Sequence, residues 1–275
     1  MIRVVFNQKG GVGKSSITTN LAAISGAHGY RTLLIDLDSQ CNTSQYVLGA
    51  GAEGLTDTIS HFFQQTLGFN LFRREVQDFV HETVFENLYI IPGHSDLLDL
   101  QSKLESKHKI YKLREMLREL GKQFDRIYID TPPAFNFYSL SALIAADKLL
   151  IPFDCDDFSR KALYSLLDNV QETRDDHNKD LALEGIVVNQ YQPRANQPRR
   201  IVEALQQEGL AVCDNFLGSS VKMRESHEAS EPLIYCAANH RLTQQFISLF
   251  EELEGVRIQD GERADIEEIE LQEAD

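Results

Sequence analysis

The sequence predicts an α/β fold: a mostly parallel sheet of about seven to eight strands, flanked by helices. Three observations predict it. Short apolar runs alternate along the chain with longer amphipathic stretches, the pattern of strands joined by helical crossovers. The centres of the apolar runs are β-branched or aliphatic with little alternation, as strands buried on both faces require. The first run also leads directly into a glycine-rich turn and then a helical pattern.

Strands are expected at Ile2–Phe6, Thr32–Asp36, Leu88–Ile91, Arg126–Asp130, Lys148–Pro152 and Glu184–Asn189, with a further candidate at Leu210–Cys213. Helical patterns fill most of the gaps, at Lys14–Gly29, Leu97–Leu104, Tyr111–Gly121, Ser139–Ala146, Ser159–Arg174, Pro198–Glu208 and Arg241–Gly255. No internal repeat and no Pro/Gly linker divides the chain, so residues 1–255 read as one domain. A length of 275 residues is ordinary for such a domain. Two segments stand apart. Residues 61–84 are rich in Phe and Gln around Arg73-Arg74 and read as an inserted helical element or a partner-binding surface. Residues 256–275 carry eight acidic residues against Arg257 and Arg263, the composition of a solvated, disordered tail.

The totals narrow the function classes. Apolar residues make up 42% and charged residues 25% of the chain, which are globular values. A net charge of −15 argues against a protein coated all over by nucleic acid, while leaving room for a local basic patch. Cys41, Cys155, Cys213 and Cys236 are scattered and form no CxxC pair. That spacing predicts reduced thiols rather than a zinc site or a disulfide scaffold. The opening residues enter a strand pattern without a basic leader, and no stretch is apolar for long enough to span a bilayer. The expectation is a cytoplasmic protein without a stable membrane anchor.

The strongest chemical signal is Asn7-Gln8-Lys9-Gly10-Gly11-Val12-Gly13-Lys14-Ser15-Ser16, between the first strand and the first helix. This is a phosphate-binding P-loop. Its glycines let the backbone turn tightly and aim N–H groups into one concavity, where the helix N-terminus favours an anion. Lys14 is placed to reach β- and γ-phosphates, the Ser15 hydroxyl to ligate Mg²⁺, and Ser16 to donate to the α-phosphate. Gly10, Gly11, Val12 and Gly13 supply the cradle. The expected cofactors are therefore ATP and Mg²⁺. Arg126-Ile127-Tyr128-Ile129-Asp130 is an apolar strand ending in a carboxylate, the Walker B arrangement in which Asp130 holds a Mg²⁺-bound water.

The second lysine, Lys9, ahead of the glycines resembles the deviant Walker A loop of the ParA/MinD family of ATPases. The Asn-Gln-Lys-Gly-Gly-Val-Gly-Lys form is similar to the ParA branch; MinD-type loops usually carry Gly at the position of Gln8. The resemblance implies that Lys9 crosses a dimer interface to the partner's nucleotide while Lys14 serves its own. Leu34-Ile35-Asp36-Leu37-Asp38-Ser39-Gln40-Cys41-Asn42 resembles the family's switch I, with Ser39 and Cys41 replacing its usual Pro and Gly. By that resemblance Asp38 positions the attacking water and Asp36 supports the Mg²⁺ shell. Thr131-Pro132-Pro133 resembles switch II, and Asn87–Gly93 the third strand and its turn. Asn189 falls where the family contacts the adenine base; as a bare residue it equally reads as an Asn ending a strand.

Residues 216–226 resemble the ParA segment that carries DNA-binding cations, with Leu217-Gly218 in place of Ile-Pro. Lys222 and Arg224 match that basic region, and Arg199 and Arg200 are further candidates. The resemblance, which runs from residue 2 to about 250, implies a homodimer formed around ATP, slow hydrolysis and non-specific DNA binding on the nucleoid. It also implies a ParB-like or cargo-adaptor protein that stimulates turnover. A MinD-like membrane switch is the alternative, but it needs a basic amphipathic C-terminal helix, which the acidic end lacks. A metal-cluster ATPase of the same superfamily needs paired cysteines, which the scattered thiols do not supply.

Overall fold

The computed structural model describes residues 1–52, 54–68, 73–155, 157–192 and 195–256; the expected acidic tail, beyond Val256, lies outside them. Seven strands form one sheet: β1 (Ile2–Val5), β2 (Thr32–Asp36), β3 (His81–Glu82), β4 (Leu88–Ile91), β5 (Arg126–Asp130), β6 (Lys148–Asp154) and β7 (Ala182–Asn189). Their order is β3-β4-β2-β5-β1-β6-β7, and every pairing is parallel except β3 against β4. The six parallel strands are those expected from the apolar runs. Successive residues point to opposite faces: Leu33 and Ile35 face one cluster and Leu34 the other, and Ile127 and Ile129 oppose Tyr128 in the same way. Both faces are dry, so the runs carry no apolar–polar alternation.

Eleven helices are present among the described residues: α1 (Lys14–Ala27), α2 (Asn42–Leu48), α3 (Ile59–Gln65), α4 (Leu97–Ser106), α5 (Lys112–Leu120), α6 (Phe137–Ala145), α7 (Asp157–Asp176), α8 (Asn196–Gln207), α9 (Val221–Ala229), α10 (Leu233–Cys236) and α11 (Arg241–Glu254). One face of the sheet packs against residues of α3 to α8, the other against α1, α10 and α11. The segment 61–84, where described, places Phe62, Phe63 and Phe79 in the core. Phe63 meets Phe137 and Tyr138 of α6, with ring centroids 5.7 and 5.6 Å apart. These three rings thus build an interior layer. The segment Leu210–Cys213 is not a strand: it makes only an isolated bridge, Val212 with Ile186. None of the four cysteines forms a disulfide, and no helix among the described residues is long and apolar enough to cross a membrane.

The end of the sheet where the strands begin is closed by a buried ion network. Arg3 is fully buried and binds Glu184 at 2.5 Å, Glu254 at 3.0 Å and the Tyr128 hydroxyl at 2.8 Å. Arg126 reaches Glu254 at 2.7 Å, and Lys148 reaches Glu184 at 2.7 Å. Glu254, at the last residue of α11, therefore clamps that helix to β1 and β5. Burial pushes the Glu254 carboxyl up, but hydrogen bonds and charge from Arg126 and Arg3 outweigh it and hold it below the ordinary 4.5. A folded pKa below the unfolded one gives stability that is full above the unfolded value and lost as pH falls through the folded one. Glu254→Gln is expected to lower the melting temperature at neutral pH by roughly 5 °C. The gap to the wild type should close as pH drops below 4.5; a gap independent of pH would remove the clamp from the stability of the fold.

Candidate functional site

At the opposite end of the sheet, the central strands deliver the predicted residues to one place. β1 leads into Phe6 and Asn7, and the buried Asn7 amide donates to the Pro152 carbonyl at 2.7 Å. The Asn7 carboxamide oxygen accepts the Lys9 backbone N–H at 2.9 Å, which starts the turn. Gly13 caps α1 in the left-handed region, at φ 88°. A Cβ there would stand 2.3 Å from the Asn189 side-chain nitrogen, so both backbone and space demand glycine. α1 begins at Lys14, and its free N-terminal amides supply the positive end of the loop.

The two lysines are placed differently. Lys14 is 7% exposed, and its ammonium donates to the Lys9 carbonyl at 3.1 Å. Burial lowers its pKa, opposed by the charges of Asp130 and Asp38. Lys9 is 31% exposed, and its ammonium lies 3.5 Å from Asp154 at the end of β6. One cation thus points into the site and the other stands at its rim.

Asp36 and Asp130 sit opposite each other in the β2–β5 register, at the C-terminal ends of both strands. Asp36 is fully buried. It accepts the Ser44 N–H at 2.9 Å, the Ser44 hydroxyl at 2.7 Å and the Asp38 N–H at 3.0 Å. Asp130 accepts the Thr43 hydroxyl at 2.7 Å and the Thr131 N–H at 3.0 Å, and the Ser15 hydroxyl also acts to lower its pKa. Asp38 is 6% exposed and accepts the Gln40 N–H at 3.0 Å. Burial, and then its neighbour's charge, pushes Asp36 well above the ordinary carboxylate range; burial does the same to Asp130, with Asp38 adding to it. Asp130 and Asp38 both act on the buried Lys14, and the oxygen-rich donor set of Asp130, Ser15 and Thr43 suits a hard divalent cation. No group of three His, Cys, Asp or Glu among the described residues forms an all-protein metal cage. The fit is therefore to an ion that keeps water and phosphate oxygens among its ligands.

The loop bearing Asp36 and Asp38 is braced from the side. The Gly93 N–H donates to the Ser44 hydroxyl at 2.9 Å, and a Cβ on Gly93 would lie 3.0 Å from Asp36 Cγ. The carbonyl of the preceding Pro92 accepts the Ile59 N–H at 2.9 Å, which opens α3.

Asn189, at the end of β7, donates to the Val12 carbonyl at 2.9 Å, and Gln190 to the Gly11 carbonyl at 3.2 Å. Both border a cavity of about 300 Å³ that is also lined by Gly13, Ser16, Met223 and Arg224. Of the four expected DNA contacts, Lys222 and Arg224 lie on α9 and Arg199 and Arg200 on α8. Lys222 pairs with Glu225 at 3.0 Å and Arg199 with Glu203 at 2.9 Å, each within its own helix. Arg224 thus borders the P-loop cavity as well as belonging to the basic helix. Thr43, Ser44 and His227 also belong to the site and were not singled out in the sequence. The first two follow Asn42 directly in the first turn of α2, which is the one local signal that points to them.

A parallel sheet with a glycine loop at the N-terminus of α1 and carboxylates at the ends of β2 and β5 defines a P-loop nucleotide-binding fold. The AAA domain family matches residues 1–183. The chain is 31% identical over 253 residues to the chromosome partitioning protein ParA of Myxococcus xanthus, covering 90% of this chain and 86% of that one. It is 27% identical over 254 residues to the sporulation initiation inhibitor protein Soj of Bacillus subtilis, covering 92% and 97%. The fold is similar to Cyanothece McdA in an ATP complex, with TM-score 0.81 and 21% identity over 94% of this chain and 97% of that one. The chain belongs to the ParA family of partition and positioning ATPases.

Proposed function

We propose that this protein is an ATP-operated switch that pairs two subunits around bound nucleotide, holds DNA without sequence preference while paired, and lets go on slow hydrolysis. Its cargo would be a plasmid, a chromosome or a protein assembly. The observation that carries this reading is the division of labour between Lys14, buried against the carboxylates, and Lys9, held at the rim beside Asp154. A triphosphate brings more charge than one buried lysine offsets, and a rim lysine from a second copy supplies the rest.

The roles follow from position. The loop from Gly10 to Gly13 cradles the phosphates, and Lys14 neutralises them. Bound Mg²⁺ would offset the charge of the phosphates. Ser15 and Asp130 would hold that ion, Asp130 through bound water. Asp36 holds Ser44 and the Asp38 amide, and so fixes the loop that carries Asp38. Asp38 is the residue to orient the attacking water. Asn189 lines the cavity beside the loop, where an adenine base would lie. Catalysis by positioning and charge neutralisation alone accords with slow turnover awaiting a ParB-like or cargo-bound stimulator.

DNA retention tests the reading. Because Arg224 also borders the cavity, the cleaner variant is Lys222→Glu with Arg200→Glu. Wild-type protein is expected to retard random-sequence duplex DNA only with ATP. The double variant should lose retention at moderate salt, with the slope of log affinity against log salt reduced by about 2 per subunit. Retention equal to the wild type would exclude these helices from DNA binding, and pelleting with anionic vesicles instead of DNA would favour a membrane switch.

A further inference from the structure

One polar cluster beside the P-loop joins α1, α2 and α9. The Ser16 hydroxyl, in the first turn of α1, lies 3.0 Å from His227 Nε2 of α9. The His227 ring stacks on Tyr46 of α2, with centroids 3.9 Å apart and planes 19° from parallel. The Tyr46 hydroxyl lies 2.6 Å from the Ser226 hydroxyl. It also accepts from the Asn20 amide at 3.1 Å, an amide that donates to the Ser16 carbonyl at 2.8 Å. The Asn20 oxygen accepts the Leu233 N–H at 2.9 Å, which ties in the start of α10. Tyr46, Asn20 and Ser226 are buried.

We propose that His227 is a positioning residue for the α-phosphate, aligning the Ser16 hydroxyl and tying α9 to the presence of nucleotide. The inference rests on the ATP reading above. A serine hydroxyl has one proton to give and two lone pairs. A phosphate oxygen can only accept, so it takes the Ser16 proton, and His227 must then offer an N–H to the freed lone pair. The stack on Tyr46 and the bond from Tyr46 to Ser226 hold the ring in place. Its response is therefore to present Nε2–H rather than to swing away. Burial lowers the His227 pKa, which fits a neutral ring with one movable proton. Lys222 lies on the same helix, five residues before His227. Occupancy of the phosphate site is thereby coupled to the helix that bears the basic residues.

The test uses fluorescent analogues of ADP and ATP with Mg²⁺, since both carry the α-phosphate. His227→Phe keeps the stack and loses the bond, whereas His227→Gln restores a side-chain N–H. The Phe variant is expected to bind both nucleotides about tenfold more weakly, with the Gln variant recovering most of the loss. Hydrogen exchange across residues 221–229 should slow on adding ADP to the wild type and to His227→Gln, and not to His227→Phe. Thermal unfolding of each variant reveals a misfolded Phe protein. Ser16→Ala then gives an independent route: in that background His227 and His227→Phe should bind ADP equally, because the coupling has been removed. Wild-type affinity in the Phe variant, a Gln variant as weak as Phe, or a remaining difference in the Ser16→Ala background would overturn the proposal. Failure of the wild type to bind either nucleotide would overturn the ATP reading instead.

Discussion

Lys9→Ala is expected to abolish ATP-dependent pairing of the subunits while leaving the single subunit folded and able to bind nucleotide. Lys9 contributes to its own loop through its backbone, whose N–H donates to Asn7 and whose carbonyl accepts the Lys14 ammonium. Alanine keeps both bonds. The side chain is about one-third exposed and meets the similarly exposed Asp154, a pair too well screened for its loss to affect stability much. Within a closed dimer the same ammonium would face buried phosphate, and leaving that charge unpaired costs about 3 kcal/mol or more. Dimer affinity should fall by at least about a hundredfold. Sedimentation velocity with Mg-ATP at rising protein concentration measures it. Dimers formed as readily as in the wild type would remove the two-lysine model.

Asp38→Ala should have the opposite signature, with turnover reduced by about a hundredfold or more and the ATP-bound dimer accumulating. The Asp38 carboxylate is nearly buried, feels the Lys14 charge, and is committed to one protein donor, the Gln40 N–H. It retains lone pairs for a water. Asp36, in contrast, holds three donors from Ser44 and Asp38, so its replacement would disturb the loop itself. Phosphate release and dimer fraction, measured together, separate the two effects. Normal turnover in Asp38→Ala, or loss of the dimer along with turnover, would take Asp38 out of the water-orienting role.

The parallel strands were legible because strands buried on both faces have apolar centres, as residues 33–35 of β2 show. β3 was not: it is an edge strand of two polar residues paired to β4, with His81 Nε2 at 2.7 Å from the Asp57 carbonyl. Tertiary contact, not propensity, makes it a strand. α2 and α9 are short and carry weak patterns, so their helicity too depends on what they pack against. In the site, Lys9 to Ser16, Asp36, Asp38 and Asp130 were legible because loop chemistry writes its residues consecutively or at strand ends. Thr43 and His227 were not, because their partners Asp130 and Ser16 are 87 and 211 positions away. That Phe62, Phe63 and Phe79 face the core could not be read from composition, which does not say which face of a segment is turned inward.

The close approach at Gly93 leaves no slack between the turn after β4 and the loop bearing Asp36 and Asp38. If that loop shifts, the turn shifts with it through Ser44, and so does the leading amide of α3 through Pro92. The aromatic layer under α3 is thereby geared to the carboxylate cluster. A binding partner gripping the outer side of α3 would have a mechanical handle on the catalytic loop without touching it.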